Sequence, residues 1–193
     1  MLKGFIFGVL ATVVILLIVG YVGVTQGLLI PANADAKPSR MERWMASRSL
    51  AATISREMPT QADPVAATDA NYEAGIKLYA QNCAACHGVP GERPSTIAIG
   101  LYQHAPQLAR HGVEDDAEGE TFWKIKHGIR LTGMPSFARS FSDDQIWTLA
   151  LFLKHMDALP PGPQRTWRAT KTPVALAPLS ALPSPSPGSR STR

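Results

Sequence analysis

Cysteine is scarce in this chain: among 193 residues there are only Cys83 and Cys86, and no further cysteine exists to pair with either. A structural zinc site wants four ligands, normally from two Cys or His pairs at matching spacing. The second pair is missing. His104, His111, His127 and His155 form no His-x(3–5)-His pair, so Cys83, Cys86 and His87 supply three ligands at most. No stretch alternates convincingly as a strand, no internal repeat is visible, and no nucleic-acid-binding motif is present. No general base, nucleophile or open metal position stands out, so nothing marks the chain as an enzyme in its own right.

What is there is concentrated. QNCAACHG (81–88) sets two thiols three positions apart with an imidazole directly behind the second. A dithiol redox motif opens a helix that follows a strand. Here the preceding ATDANYEAGIKLYAQN reads as helix. C-x-x-C-H is the signature of covalent haem attachment. Cys83 and His87 lie four apart and Cys86 three from Cys83, so one helical turn gathers all three side chains. The thiols can then add to the two vinyl groups of one haem while His87 coordinates its iron. The expected cofactor is one covalently bound haem c.

Charge is absent from Gly4–Val24, GFIFGVLATVVILLIVGYVGV, which reaches the roughly 20 apolar residues a bilayer-spanning helix needs. Lys3 favours a cytoplasmic N-terminus. The alternative is a cleaved signal peptide, with Ala32-Asn33-Ala34 as its A-x-A pattern. Signal h-regions run only about 7–15 residues, and this pattern lies well past the apolar run, so the anchor is favoured. Residues 1–30 are thus read as a transmembrane anchor. Acidic residues are absent from the other end: 160–193 is rich in Pro, Ser and Ala and carries five basic residues, which predicts a disordered tail. Between them, 69–159 holds eight basic and eleven acidic residues, so the net charge of +4 belongs to the appendages and argues for no nucleic-acid partner.

The middle of the chain reads as helices. In 31–68, Ser39 and Glu42 form a capping box before a helix running to Pro59, with Met41, Met45, Leu50, Ile54 and Met58 on a moderately apolar face. Such a helix either lies on the membrane beside the anchor or packs against the domain that follows; TQADPVAAT is then a linker. Asp69 is a candidate N-cap for a helix over 70–81. An irregular stretch from Gly88 to about Gly112 follows, then a short helix in GETFWKIKHGI ended by Gly128, the turn LTGMPSF, and a last helix capped by Ser142 and Gln145. Ile146, Leu149, Leu153 and Met156 form its buried stripe, flanked by Phe152.

Gly75 and Tyr79 before CAACH, a loop, TGMPSF and a final LALFLK helix together resemble a class I cytochrome c over residues 69–159. The resemblance implies an all-α, small cytochrome c fold with crossing first and last helices, preceded by the transmembrane helix and followed by the Pro-rich tail. It also implies that Gly75, Tyr79, Leu149 and Phe152 meet where those helices cross. Met134, in a rigid turn between Gly133 and Pro135, would be the second axial ligand opposite His87, as the family's methionine is. His127 is the rival ligand. Pro90 would offer its carbonyl to the His87 ring, with Val89 or Gly91 as substitutes. Trp123, Phe137, Phe141 and Trp147 are expected to wall the haem.

The expected function follows: a membrane-anchored mono-haem cytochrome c with its haem domain on the periplasmic face of a bacterial inner membrane. It would pass single electrons between redox partners, chiefly membrane complexes or dehydrogenases. The alternatives are an electron-entry subunit of a larger oxidoreductase, or a haem protein with a labile distal ligand that binds peroxide or gases.

Overall fold

The structure is a computed structural model that describes residues 2–28 and 32–172. It divides into two compact units, Met1–Ala36 and Lys37–Arg193. The first contains α1 (Leu2–Thr25), whose segment Lys3–Thr25 has a mean hydropathy of 2.8. Its threonines spend their hydroxyls on the helix itself: Thr12 Oγ1 donates to Gly8 O and Thr25 Oγ1 to Tyr21 O, each at 2.9 Å. Both threonine hydroxyls of α1 are thus satisfied without water, which suits a hydrocarbon environment. Among the described residues, α1 is the one helix long and apolar enough to cross a membrane.

The second unit is built from helices, with no strand among the described residues. Its elements are α2 (Arg40–Glu57), α3 (Asp69–Asn82), the single turn α4 (Ala84–His87), α5 (Thr96–Gly100), α6 (Glu118–His127), α7 (Asp143–Lys154) and α8 (Pro161–Ala169). The local chemistry explains most of the boundaries. Ser39 Oγ accepts from Glu42 N at 3.1 Å and the Glu42 carboxylate from Ser39 N, so both halves of the first capping box form. Ser142 and Gln145 do the same for α7. For α3 the cap lies one residue earlier than expected: Thr68 Oγ1 accepts from Asn71 N, and Asp69 is the first helical residue, where its charge suits the helix dipole. α6 stops at Gly128, which adopts φ 67°.

The core sits where α3 packs on α7 and α6 closes the side. Gly75 is at the closest approach: a Cβ there would stand 2.6 Å from Phe152 Cβ and 2.7 Å from Thr148 O. Any side chain would push the helices apart. Tyr79, Ile146, Leu149 and Phe152 are fully buried around this contact, and Tyr79 meets Phe152 edge-on at 5.6 Å. Phe122 of α6 stacks on Trp147 of α7 at 4.2 Å.

Two expectations need correction. The chain from 160 onward was expected to be disordered, yet 161–169 is helix. Pro161 and Pro163 fall in its first turn, where a missing N–H costs no hydrogen bond. Trp167 is then buried edge-on against Tyr79 and Phe152, with ring centroids 5.2 and 5.1 Å away, which supplies the apolar burial a short helix lacks alone. The remainder of the tail, from residue 173, lies outside the described residues. The irregular stretch after the cysteines also contains α5, capped by Ser95 Oγ, which accepts from Ala98 N at 3.1 Å.

α2 presents two opposite faces. Ile54 is buried and Leu50 half-buried on one, packed towards α6, while Met41, Trp44 and Met45 are exposed on the other. Of the two roles open to this helix in the sequence, packing on the helical unit is the one its inner face fills.

Candidate functional site

Cys83 ends α3 and starts α4. Its φ of −114° breaks the helix axis, and its carbonyl then accepts from Cys86 N at 3.0 Å and His87 N at 2.9 Å. That single turn presents Cys83, Cys86 and His87 to one cavity of about 310 Å³. Met134 lines the same cavity from the opposite stretch of sequence, with Leu50, Leu101, Leu108, Ile125, Ile129, Phe137 and Leu153 among the apolar walls. The four residues singled out as haem ligands in the sequence are thus brought to one place.

The imidazole is held by a partner that the sequence did not reveal. His87 Nδ1 lies 2.9 Å from Pro106 O. A carbonyl only accepts, so Nδ1 carries the proton and Nε2 keeps its lone pair free for a metal. Pro90, Val89 and Gly91, the expected sources of this carbonyl, do not supply it. The neighbours of Pro106 complete a clasp on the motif. Gln107 Nε2 donates to Cys86 O at 2.9 Å, and Leu108 N donates to His87 O at 3.0 Å. From below, Tyr79 Oη donates to Gly88 O at 2.8 Å. Gly88 has φ 76°, and a Cβ there would stand 2.6 Å from Gln107 Oε1, so both conformation and space call for glycine. Nothing local in QHAPQL announces these roles, because they depend on a contact across about twenty residues.

Burial sets the protonation states. Desolvation, opposed by the Pro106 hydrogen bond, lowers the pKa of His87, which keeps the ring neutral and able to ligate at neutral pH. Burial first, then the neighbouring Cys86, pushes the Cys83 thiol up to about 12, and burial raises Cys86 as well. Dithiol exchange needs a stabilised thiolate, and this site does the reverse. No cluster of three or more His, Cys, Asp or Glu with metal-holding geometry occurs among the described residues.

Met134 is held by a different device. Thr132 Oγ1 accepts from Met134 N at 3.1 Å and donates to Ile129 O at 2.7 Å, while Ile129 N donates to Met134 O at 3.2 Å. Leu131, 87 % exposed, takes φ 61° to close this turn. The turn is pinned to the end of α6 by Ser136 Oγ and Ala138 N, both donating to Lys126 O. Gly128 again leaves no room for a side chain: a Cβ would stand 2.6 Å from the Pro135 carbonyl carbon. At Gly133 the close neighbour is Leu101, 2.5 Å from where a Cβ would stand.

Of the other described histidines and methionines, His104 alone lines the cavity, and it is exposed. His127 is exposed, tilted over Trp123 with centroids 5.0 Å apart, and does not line the cavity. His111 is exposed, and His155 packs edge-on against Tyr72. Met41 and Met45 are exposed and Met156 is core. Of the four aromatics expected to wall the haem, Phe137 alone lines the cavity. Trp147 is committed to Phe122, Phe141 stacks on Phe137, and Trp123 faces His127.

An all-helical unit with two cysteines, a singly protonated imidazole and a thioether around one apolar cavity has the donor set of a c-type haem protein. The comparisons agree. The family model described as cytochrome c oxidase, cbb3-type, subunit III matches residues 70–153. The chain is 33 % identical over 96 residues to the quinohemoprotein alcohol dehydrogenase of Comamonas testosteroni. It is 33 % identical over 92 residues to quinohemoprotein alcohol dehydrogenase ADH IIB of Pseudomonas putida. These matches take in 49 % and 47 % of this chain but only 12 % of each relative's length. No solved structure matches significantly. Over residues 70–153 the helical unit is thus similar to class I c-type cytochromes, a family whose cofactor is covalently attached haem c with its iron.

Proposed function

We propose that this protein is a membrane-anchored mono-haem cytochrome that carries single electrons between redox partners and is not itself an enzyme. The observation that carries the reading is the convergence of Cys83, Cys86, His87 and Met134 on one cavity. Bound there, haem c supplies a one-electron ferric/ferrous couple. Cys83 and Cys86 hold it as thioethers. His87 would ligate through Nε2, left free by the hydrogen bond from Nδ1 to Pro106 O, and Met134 would supply a soft, neutral sulfur ligand that favours the ferrous state. The apolar walls keep water out and favour the less charged iron.

In this reading α1 remains in the mature protein as an anchor, and the haem domain lies on the periplasmic side of a bacterial inner membrane. A tether of this kind raises the effective concentration of the domain at membrane-bound partners. The relatives favour one kind of electron donor, a dehydrogenase.

The test is direct. Denatured protein should retain haem through acid–acetone extraction, and the reduced protein should not bind carbon monoxide rapidly at neutral pH. Extractable haem would refute the thioethers, and rapid carbon monoxide binding would refute Met134. Carbonate-washed membranes should keep the protein; N-terminal sequencing that starts near Asp35 would show a cleaved signal instead.

A further inference from the structure

The cytochrome match begins at residue 70, yet α2, which ends at Glu57, reaches the haem cavity. Leu50 of α2 is one of its walls, and Ile54, one turn on, is buried towards α6. Near its start, Glu42 does two jobs at once. One carboxylate oxygen accepts from Ser39 N in the capping box, and the other accepts from Tyr102 Oη at 2.6 Å. Tyr102 belongs to the stretch 101–108, which contacts both the haem-attachment turn and the turn that carries Met134. Leu101 packs on Gly133 beside Met134, Pro106 holds the His87 ring, and Gln107 and Leu108 hold the backbone of Cys86 and His87.

We infer that α2 is a brace belonging to the haem site, in which Leu50 closes one side of the cavity and the Glu42–Tyr102 hydrogen bond fixes the 101–108 loop that orients His87 and packs beside the Met134 turn. Leu50, Glu42 and Tyr102 are positioning residues and make no bond to haem. The inference rests on the haem reading above. The physical consequence is control of water access and ring orientation. A looser brace lets water reach the iron's surroundings, stabilises the more highly charged ferric state and lowers the reduction potential. It also frees the loop that holds Pro106 against His87.

The experiment is spectroelectrochemical titration of the full-length holoprotein carrying Leu50→Ala or Tyr102→Phe, with Ser142→Ala as the control. Ser142→Ala removes the cap of α7 without touching Glu42, Tyr102 or the cavity. Leu50→Ala and Tyr102→Phe should both shift the potential, Leu50→Ala downwards, while Ser142→Ala leaves it in place and lowers only thermal stability. Unchanged potentials in both brace variants, with haem still covalently attached, would overturn the brace. Equal shifts in all three variants would also overturn it, since general destabilisation would then explain the effect. Should the variants fail to fold, hydrogen exchange on the wild-type chain decides. Amides of residues 46–56 should exchange more slowly in the haem-loaded protein than in the Cys83→Ala/Cys86→Ala form, and equal rates would refute the inference. Wild-type protein without covalent haem would instead refute the haem reading.

Discussion

The two halves of the proposed haem site are held in different ways. Met134 sits in a turn that stabilises itself: Thr132, Ile129 and Met134 bond to one another within six residues. His87 sits on a turn clasped from outside, by Pro106, Gln107 and Leu108 about twenty residues downstream. The Met134 half is therefore local chemistry, with glycine, proline and threonine placed where the backbone needs them. The His87 half is tertiary, and depends on a loop that is itself held elsewhere. Local damage should thus change ligation at Met134, whereas remote damage should change the environment of His87.

The largest expected effect removes the distinction altogether. Cys83→Ala/Cys86→Ala should yield protein with no covalent haem, read as loss of the haem mass and of colour after acid–acetone extraction. Both halves then lose the group that joins them. Next in size is Met134→Ala, which should leave the haem attached, abolish the weak methionine–iron charge-transfer band in the red, and open the ferrous iron to carbon monoxide. Survival of that band would mean that another residue ligates. His127, which does not line the cavity, would then require a rearrangement of α6.

The contrast also explains what could be read from the sequence. CAACH, the TGMPSF turn, the two capping boxes and the buried stripe of α7 are short-range patterns, and each has a local physical cause visible in the residues themselves. Pro106 is different: its role comes from a carbonyl, which every residue has, and only the fold says which one faces His87. The same holds for Trp167. Proline density predicted disorder, but two of those prolines sit in the first turn of α8, and a single buried indole against Tyr79 and Phe152 ties the segment to the core. The part of α2 in the site was illegible for a related reason, since Leu50 is one apolar residue among several on that helix.

A reference perturbation is needed that loosens the fold without favouring either half. Gly75→Val meets that need, because its side chain would collide with Phe152 and the Thr148 carbonyl at the α3–α7 contact. Overpacking of this kind costs about 1–3 kcal/mol. Denaturant unfolding followed by tryptophan and by haem absorbance should show one coincident transition at lower denaturant. Two separate transitions would mean that the site and the helix crossing are not one cooperative unit.

The smallest effects carry the sharpest contrast. Gln107→Ala removes the hydrogen bond to Cys86 O, and Thr132→Val removes the hydroxyl that accepts from Met134 N and donates to Ile129 O. Each loss should cost stability by about 0.5–1.5 kcal/mol, so stability alone will not separate them. Function should. Without Gln107 the loop relaxes, and the Pro106 carbonyl pulls less on the His87 proton. The ring then becomes a weaker donor to iron, ferric iron loses support, and the potential should rise slightly with the methionine band intact. Without the Thr132 hydroxyl the Met134 turn loosens, so carbon monoxide should bind the ferrous protein faster than in wild type, and the red band should weaken. Potentials and carbon monoxide rates measured on both variants form a two-by-two comparison. If Gln107→Ala accelerates carbon monoxide binding as much as Thr132→Val does, the halves are not independent, and the 101–108 loop governs Met134 as strongly as it governs His87.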